Sequence, residues 1–91
     1  MTIEQLLKDL GINKVGEYSN KNTYVIDLYS SEEFGKMYSL LDQNNDLEYE
    51  EESSLLTVDN GSLMYNYNDE FQFVLIADFN HDQYHLTIKE L

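Results

Sequence analysis

Hydrophobic positions recur along this chain with two different periods, and the change from one to the other falls near residue 46. Ile3, Leu6, Leu7 and Leu10 are spaced as one face of a helix. Thr2 precedes them with Gln5 three residues on, a capping box in which side chains and backbone amides satisfy one another, and Gly11 is a natural stop. The pattern predicts a short amphipathic helix over residues 2–10 whose apolar stripe joins the core. Lys14–Tyr18 and Thr23–Tyr29 read as strands, with Ser19-Asn20-Lys21-Asn22 as the turn between them. In the second strand Tyr24, Ile26 and Leu28 share the face suited to a core. Ser30-Ser31-Glu32-Glu33 forms a second capping box, with both glutamates in the first turn, where the helix dipole favours negative charge. Phe34, Met37, Tyr38 and Leu41 then make the stripe of a helix ending near Asp42, and Gly35 inside it costs about 1 kcal/mol relative to alanine.

From Asp46 onward the period falls to two. Asp46–Glu51 alternates, with Leu47 and Tyr49 on one side and Asp46, Glu48 and Glu50 on the other. Ser54–Asp59 reads as a strand, and Asn60-Gly61 is a strong hairpin signal. Ser62–Asn68 returns with Leu63, Tyr65 and Tyr67 on one face, and Asn68-Asp69 turns again. In Phe71–Phe79 the set Phe71, Phe73, Leu75, Ala77 and Phe79 lies opposite Gln72, Val74, Ile76 and Asp78. Asn80–Gln83 makes a loop, and Tyr84–Glu90 closes with Tyr84, Leu86 and Ile88 inward. The predicted architecture is α+β: two short helices packed on one face of an antiparallel β-sheet, whose C-terminal part is a β-meander with Phe71–Phe79 at its centre. No linker, repeat or boundary interrupts a single domain over residues 1–91. Helices on one side leave the other sheet face open.

Composition adds two constraints. A hydrophobic content of 42% with twelve aromatics exceeds that of a disordered acidic tail, so the chain folds around one modest core. The absence of cysteine removes disulfides and thiolate metal sites. Met1 leads straight into an amphipathic stretch rather than a basic start and an apolar run, so no secretory signal or membrane span is predicted and the expected location is cytoplasmic. Charge then changes the picture. Of the formal −13, residues 37–88 carry −11, with eleven Asp and Glu against no Lys or Arg, and the whole chain lacks arginine. Like-charge repulsion destabilises a compact state, while solubility needs only a few units of net charge. The excess points to a cationic partner; the plainer alternative is a solvated acidic face.

Catalytic chemistry finds little support. The two histidines fall in a loop (His81) and on the polar face of a terminal strand (His85), with no nucleophile elbow, and the glycines at 11, 16, 35 and 61 form no phosphate loop. The chain reads as a non-enzyme without cofactor. Asp42, Asn44 and Asp46 match the opening of a calcium loop, as do Asp78, Asn80 and Asp82. The sixth position is Leu47 or Gln83 instead of glycine, and the twelfth is Ser53 or Lys89 instead of glutamate, so no metal site is expected and both segments read as turns.

The stretch Asp42–Glu52, DQNNDLEYEEE, is six-elevenths acidic. As a strand it would project Asp46, Glu48 and Glu50 from one face at intervals of roughly 6.6 Å. Such a row is comparable to successive phosphates of a nucleic-acid strand and could fill lysine and arginine sites that hold them. Tyrosines are rigid amphipathic anchors at interface centres, and Tyr49, Tyr65 and Tyr67 interleave with the acids; Tyr65 and Tyr67 serve equally well as core. The candidate partner-binding residues are Asp42, Asp46, Glu48, Tyr49, Glu50, Glu51, Glu52, Tyr67, Asp69 and Glu70. Direct binding to DNA or RNA is excluded by repulsion from phosphate.

In Asp42–Glu52, Asp59, Asp69, Glu70, Asp78 and Asp82, and in its lack of arginine, the chain resembles small acidic phage-type nucleic-acid mimics, with the anti-CRISPR inhibitors of RNA-guided nucleases as the nearest analogy. The resemblance is one of composition, covers mainly residues 37–88, and implies occlusion of a basic, PAM-reading or DNA-holding channel in the host cytosol. The expected partner is therefore a basic nucleic-acid-binding protein, an RNA-guided or toxin nuclease. An immunity protein or antitoxin against a cognate basic toxin, a phage structural or assembly protein, and a calcium-binding module are the other readings.

Overall fold

Helix α1 (Ile3–Asp9) begins as its capping box dictates: Thr2 Oγ1 accepts the Gln5 amide at 3.2 Å and Gln5 Oε1 accepts the Thr2 amide at 2.8 Å. Helix α2 (Ser31–Asp42) has half of the predicted box. Ser30 Oγ accepts the Glu33 amide at 3.1 Å, but the Glu33 carboxylate reaches one residue further back, to the Tyr29 amide at 3.2 Å, and pairs with Lys14. That ammonium holds the Glu33 carboxyl below its ordinary range. The computed structural model describes all of residues 1–91.

Seven strands form one antiparallel sheet: β1 (Glu17–Asn20), β2 (Thr23–Leu28), β3 (Glu48–Tyr49), β4 (Leu55–Leu56), β5 (Asn60–Tyr67), β6 (Phe71–Asp78) and β7 (Gln83–Glu90). Their order is β1-β2-β7-β6-β5-β3, with β4 also paired to β5. The meander β5-β6-β7 therefore returns to the N-terminal hairpin, and β2 pairs with β7 along its whole length, from Thr23↔Lys89 to Leu28↔Tyr84. Chain connectivity then requires α2 to cross from β2 to β3. Four interstrand gaps of about 4.8 Å make ~19 Å, and twelve helical residues at about 1.5 Å each supply ~18 Å. The helix is the length of the span it bridges.

Both helices cover the same sheet face. Alternation delivers Tyr24, Ile26 and Leu28 from β2, Leu63 and Tyr65 from β5, Phe71, Phe73, Leu75 and Ala77 from β6, and Tyr84, Leu86 and Ile88 from β7 to that face. Leu6 and Leu7 of α1 and Phe34, Met37 and Leu41 of α2 close over them in one core of twenty buried residues. No charged or polar side chain is buried. Under the start of α2, Phe34 meets Phe79 edge-on at 5.6 Å and Tyr84 at 5.8 Å.

Four sequence expectations are corrected in detail. The first strand is Glu17–Asn20, not Lys14–Tyr18, because the turn tightens to Lys21-Asn22, with Asn20 Oδ1 accepting the Asn22 amide at 2.8 Å. Residues before it run against β2 so closely that a Cβ on Gly16 would lie 2.1 Å from the Val25 carbonyl oxygen. Asn60-Gly61 is not a turn. Val58 and Asp59 form the apex, Thr57 Oγ1 accepts the Asp59 and Asn60 amides at 3.2 and 3.1 Å, and Asn60 already pairs with Asp78. Gly61 lies within the strand, where a Cβ would come 2.8 Å from Leu56 Cδ1, the tip of a side chain exposed enough to swing aside. Asp46–Glu51 and Ser54–Asp59 shrink to two-residue β3 and β4, since a 3-10 turn at Glu51–Ser53 interrupts the edge.

Three tyrosine hydroxyls tie this fold to pH. The Glu4 carboxylate accepts the Tyr18 hydroxyl and pushes its pKa up to about 12. Burial, and then the Asp42 charge, raises Tyr65; burial, and then the bond to Asp82 at 2.9 Å, raises Tyr84. A raised folded pKa stabilises the fold fully below the ordinary tyrosine value near 10 and withdraws that stability as pH climbs through the folded value. Melting temperature by circular dichroism is expected to hold to about pH 10 and to fall steeply beyond it. Tyr65→Phe should flatten that fall; an unchanged slope would remove Tyr65 from this account.

Candidate functional site

β3 and β4 are two pieces of one edge strand lying against β5. Glu48 pairs with Asn66 and Tyr49 with Tyr65, then Leu55 with Ser62 and Leu56 with Gly61. Between them the chain bulges out as the 3-10 turn. Ser54 repairs the ladder: its hydroxyl donates to the Glu50 carbonyl at 2.7 Å and accepts the Met64 amide at 2.9 Å, while the Glu50 amide donates to the Met64 carbonyl at 2.9 Å. The predicted row is shortened at its start, because Asp46 lies in the turn before β3, and only Glu48 and Glu50 remain side by side on one face, next to Asn66.

The acidic candidates instead wrap around this edge. Asp42, the last residue of α2, lies on the helix side and accepts a long bond from the Tyr65 hydroxyl at 3.4 Å. No basic residue occupies the last turn of α2, so a carboxylate there opposes the helix dipole. Asp46 sits in a turn whose amide donates to Asn44 Oδ1 at 2.9 Å. Glu48 points to the open face beside Asn66. Glu50 is half-buried, with Oε1 accepting from Asn66 Nδ2 at 2.8 Å. Glu51 and Glu52 stand exposed on the 3-10 turn. Asp69 and Glu70 form the β5–β6 turn, where Asn68 and Asp69 both take positive φ and the Glu70 amide donates to the Tyr67 carbonyl at 2.9 Å. Asp46, Glu48 and Asp69 meet, with Asn45, Asn66 and Asn68, around one open depression.

The tyrosines divide. Tyr65 is core, only 1% exposed. Tyr49 lies across it at 5.2 Å between ring centres with 43% of its surface exposed, and Tyr67 is half-buried against Phe71 at 6.3 Å. Tyr49 is thus the one candidate aromatic offered to a partner on a rigid base.

Pairing of charge is as uneven as its distribution. Lys14–Glu33, Lys36–Glu32 and His81–Asp78 are the salt bridges. None engages any of the nine carboxylates from Asp42 to Glu70. Screening should relieve their mutual repulsion. Raising sodium chloride from 0.02 to 0.5 M, values chosen to take the Debye length from about 20 to about 4 Å, is expected to raise the melting temperature. A flat or falling curve in differential scanning fluorimetry would show the crowding to be energetically silent.

The calcium-like segments make local contacts instead. Asp78 accepts from the His81 amide and ring, and Asp82 accepts the Tyr84 hydroxyl. No group of three or more His, Asp or Glu side chains is arranged to hold a metal ion, and no helix is long and apolar enough to cross a membrane. Sequence reasoning missed Ser54 and Asn66, the two side chains that fix the edge. Neither role is legible locally, because Asn66 acts on Glu50 sixteen residues away and Ser54 links Glu50 to Met64, ten residues on, across the ladder.

The fold and this edge define a class, an antiparallel α+β protein with helices on one face and an uncompensated acidic margin. Comparison with family models, curated proteins and solved structures finds no match to the chain.

Proposed function

We propose that the chain is a non-enzymatic acidic inhibitor that binds and occludes the basic nucleic-acid-binding cleft of a nuclease, of the RNA-guided kind that its composition resembles, in the cytosol of a host cell. The observation that carries this reading is that none of the nine carboxylates from Asp42 to Glu70, all but Asp59 gathered around the β3 edge and the β5–β6 turn, has a cationic partner. Such an arrangement is costly to the free protein and is relieved when lysines and arginines of another protein approach it. Long-range attraction would speed encounter, and Tyr49, braced on Tyr65, would slow departure.

The test is titration of the purified protein into DNA-cleavage assays of a panel of basic nucleases, RNA-guided effectors and toxin nucleases among them. Loss of DNA cleavage at one-to-one stoichiometry, weakened by added salt, is the expected result. If every enzyme in the panel keeps full activity at excess protein, the reading fails. Self-association in light scattering with no nuclease bound would favour an assembly role instead.

A further inference from the structure

We infer that the centre of the contact is the uncovered face of the sheet, with the acidic edge acting to steer a partner onto it; this rests on the cationic-target reading above. Cross-strand register sets Val25 beside Thr87, Thr87 beside Val74 and Val74 beside Met64, a row running from β2 to β5 on the face without helices. The next row runs from Asp27 through His85 to Ile76 and, beyond Ser62, to Leu55. Val25, Met64, Val74 and Ile76 are shielded only in part, by their neighbours, and Leu55 is 60% exposed. Beside Val25 the face dips between the well-exposed Val15 and Tyr29.

Carboxylates frame this stripe. Glu17 and Asp27 flank it on the β1–β2 side, Glu48 and Glu50 on the β3 side, and Asp78 closes one end of β6. Lys89 is the single lysine among these strand positions. An apolar centre inside a charged rim is the anatomy of a protein–protein contact, and the sign of the rim selects the partner. A second copy would set carboxylate against carboxylate, and nucleic acid or anionic lipid would be repelled. Strand addition at the β3 edge would meet the bulged turn. The occupant that fits is a protein surface on which lysine or arginine alternates with aliphatic side chains.

Two synthetic peptides of equal length and charge, alternating Lys–Leu and alternating Lys–Ser, test the assignment by isothermal titration and by labelled-methyl NMR. The Lys–Leu peptide should bind roughly tenfold more tightly at the same ionic strength, and should shift the methyl signals of Val25, Met64, Val74 and Ile76. The double variant Val74→Thr/Ile76→Thr, which keeps β-branched residues at both positions, should abolish that advantage and leave Lys–Ser binding intact. Equal affinity for the two peptides, or shifts confined to Asp42–Glu52, would overturn this inference and leave the cationic reading standing. If neither peptide binds at low salt, the cationic reading falls with it. Methyl shifts that grow with protein concentration alone would assign the face to a second copy and overturn the proposal. Mapping on the wild-type protein decides the matter even where the double variant folds poorly.

Discussion

Phe73→Ala is expected to remove a large share of the stability of this protein. Phe73 lies in the middle of β6, flanked by Tyr65 on β5 and Ile88 on β7, and none of its surface reaches solvent. Truncating a buried phenylalanine costs about 3–5 kcal/mol, because the lost transfer energy is joined by a cavity that the surroundings only partly fill. At about 0.05–0.15 kcal/mol per residue, a chain of 91 residues holds roughly 5–14 kcal/mol in total. The melting temperature should drop by more than about 12 °C, at ~4–8 °C per kcal/mol for a domain of this size. Thermal unfolding followed by circular dichroism reads the change. A drop of only a few degrees would mean that the core collapses around the gap, and that β6 is less central than its place in the strand order implies.

That centrality was legible in the amino-acid pattern, since Phe71, Phe73, Leu75 and Ala77 alternate without interruption. The face opposite them, with Val74 and Ile76, was legible too. Helices α1 and α2 were marked by hydroxyl caps and by apolar spacing, both of which act within one turn of the chain. Strand order was not legible, because the pairing of β2 with β7 joins residues some sixty positions apart and leaves no local trace. The edge failed for a related reason. Asp46–Glu51 alternates well enough to be a strand, yet it has a neighbour on one side only, and the bonds Ser54 makes to Glu50 and Met64 decide where the chain leaves the ladder. Asn60-Gly61 misled because the Thr57 hydroxyl already turns the chain at Val58–Asp59, so that Asn60 and Gly61 fall in the strand, paired with Asp78 and Ala77. The candidate surface was therefore legible in its residues and not in its shape: a ridge around an edge, with Glu48 and Glu50 on one face and Asp42 on the other.

The ridge makes a sharper charge-reversal experiment possible. Glu48, Glu51 and Glu52 are exposed and form no side-chain hydrogen bond or salt bridge, whereas Glu50 holds Asn66 in place and is best left alone. Changing the three to lysine shifts the net charge by six units, from −13 to −7. Removing like charges from a crowded edge should leave the melting temperature unchanged or higher, so a loss of inhibition cannot be ascribed to unfolding. Association with the basic target should slow by about ten- to a hundredfold at low salt, within the range that electrostatic steering commands. The gap between variant and parent should close as ionic strength rises, because added salt shortens the reach of the field to a few ångströms. Stopped-flow or surface-based kinetics against a nuclease that the parent protein inhibits gives the rate and its salt dependence, and circular dichroism gives the melting temperature. If the triple variant binds as fast as the parent at low salt, the carboxylates of the β3 edge only keep the protein soluble and its edge unpaired, and recognition must reside elsewhere.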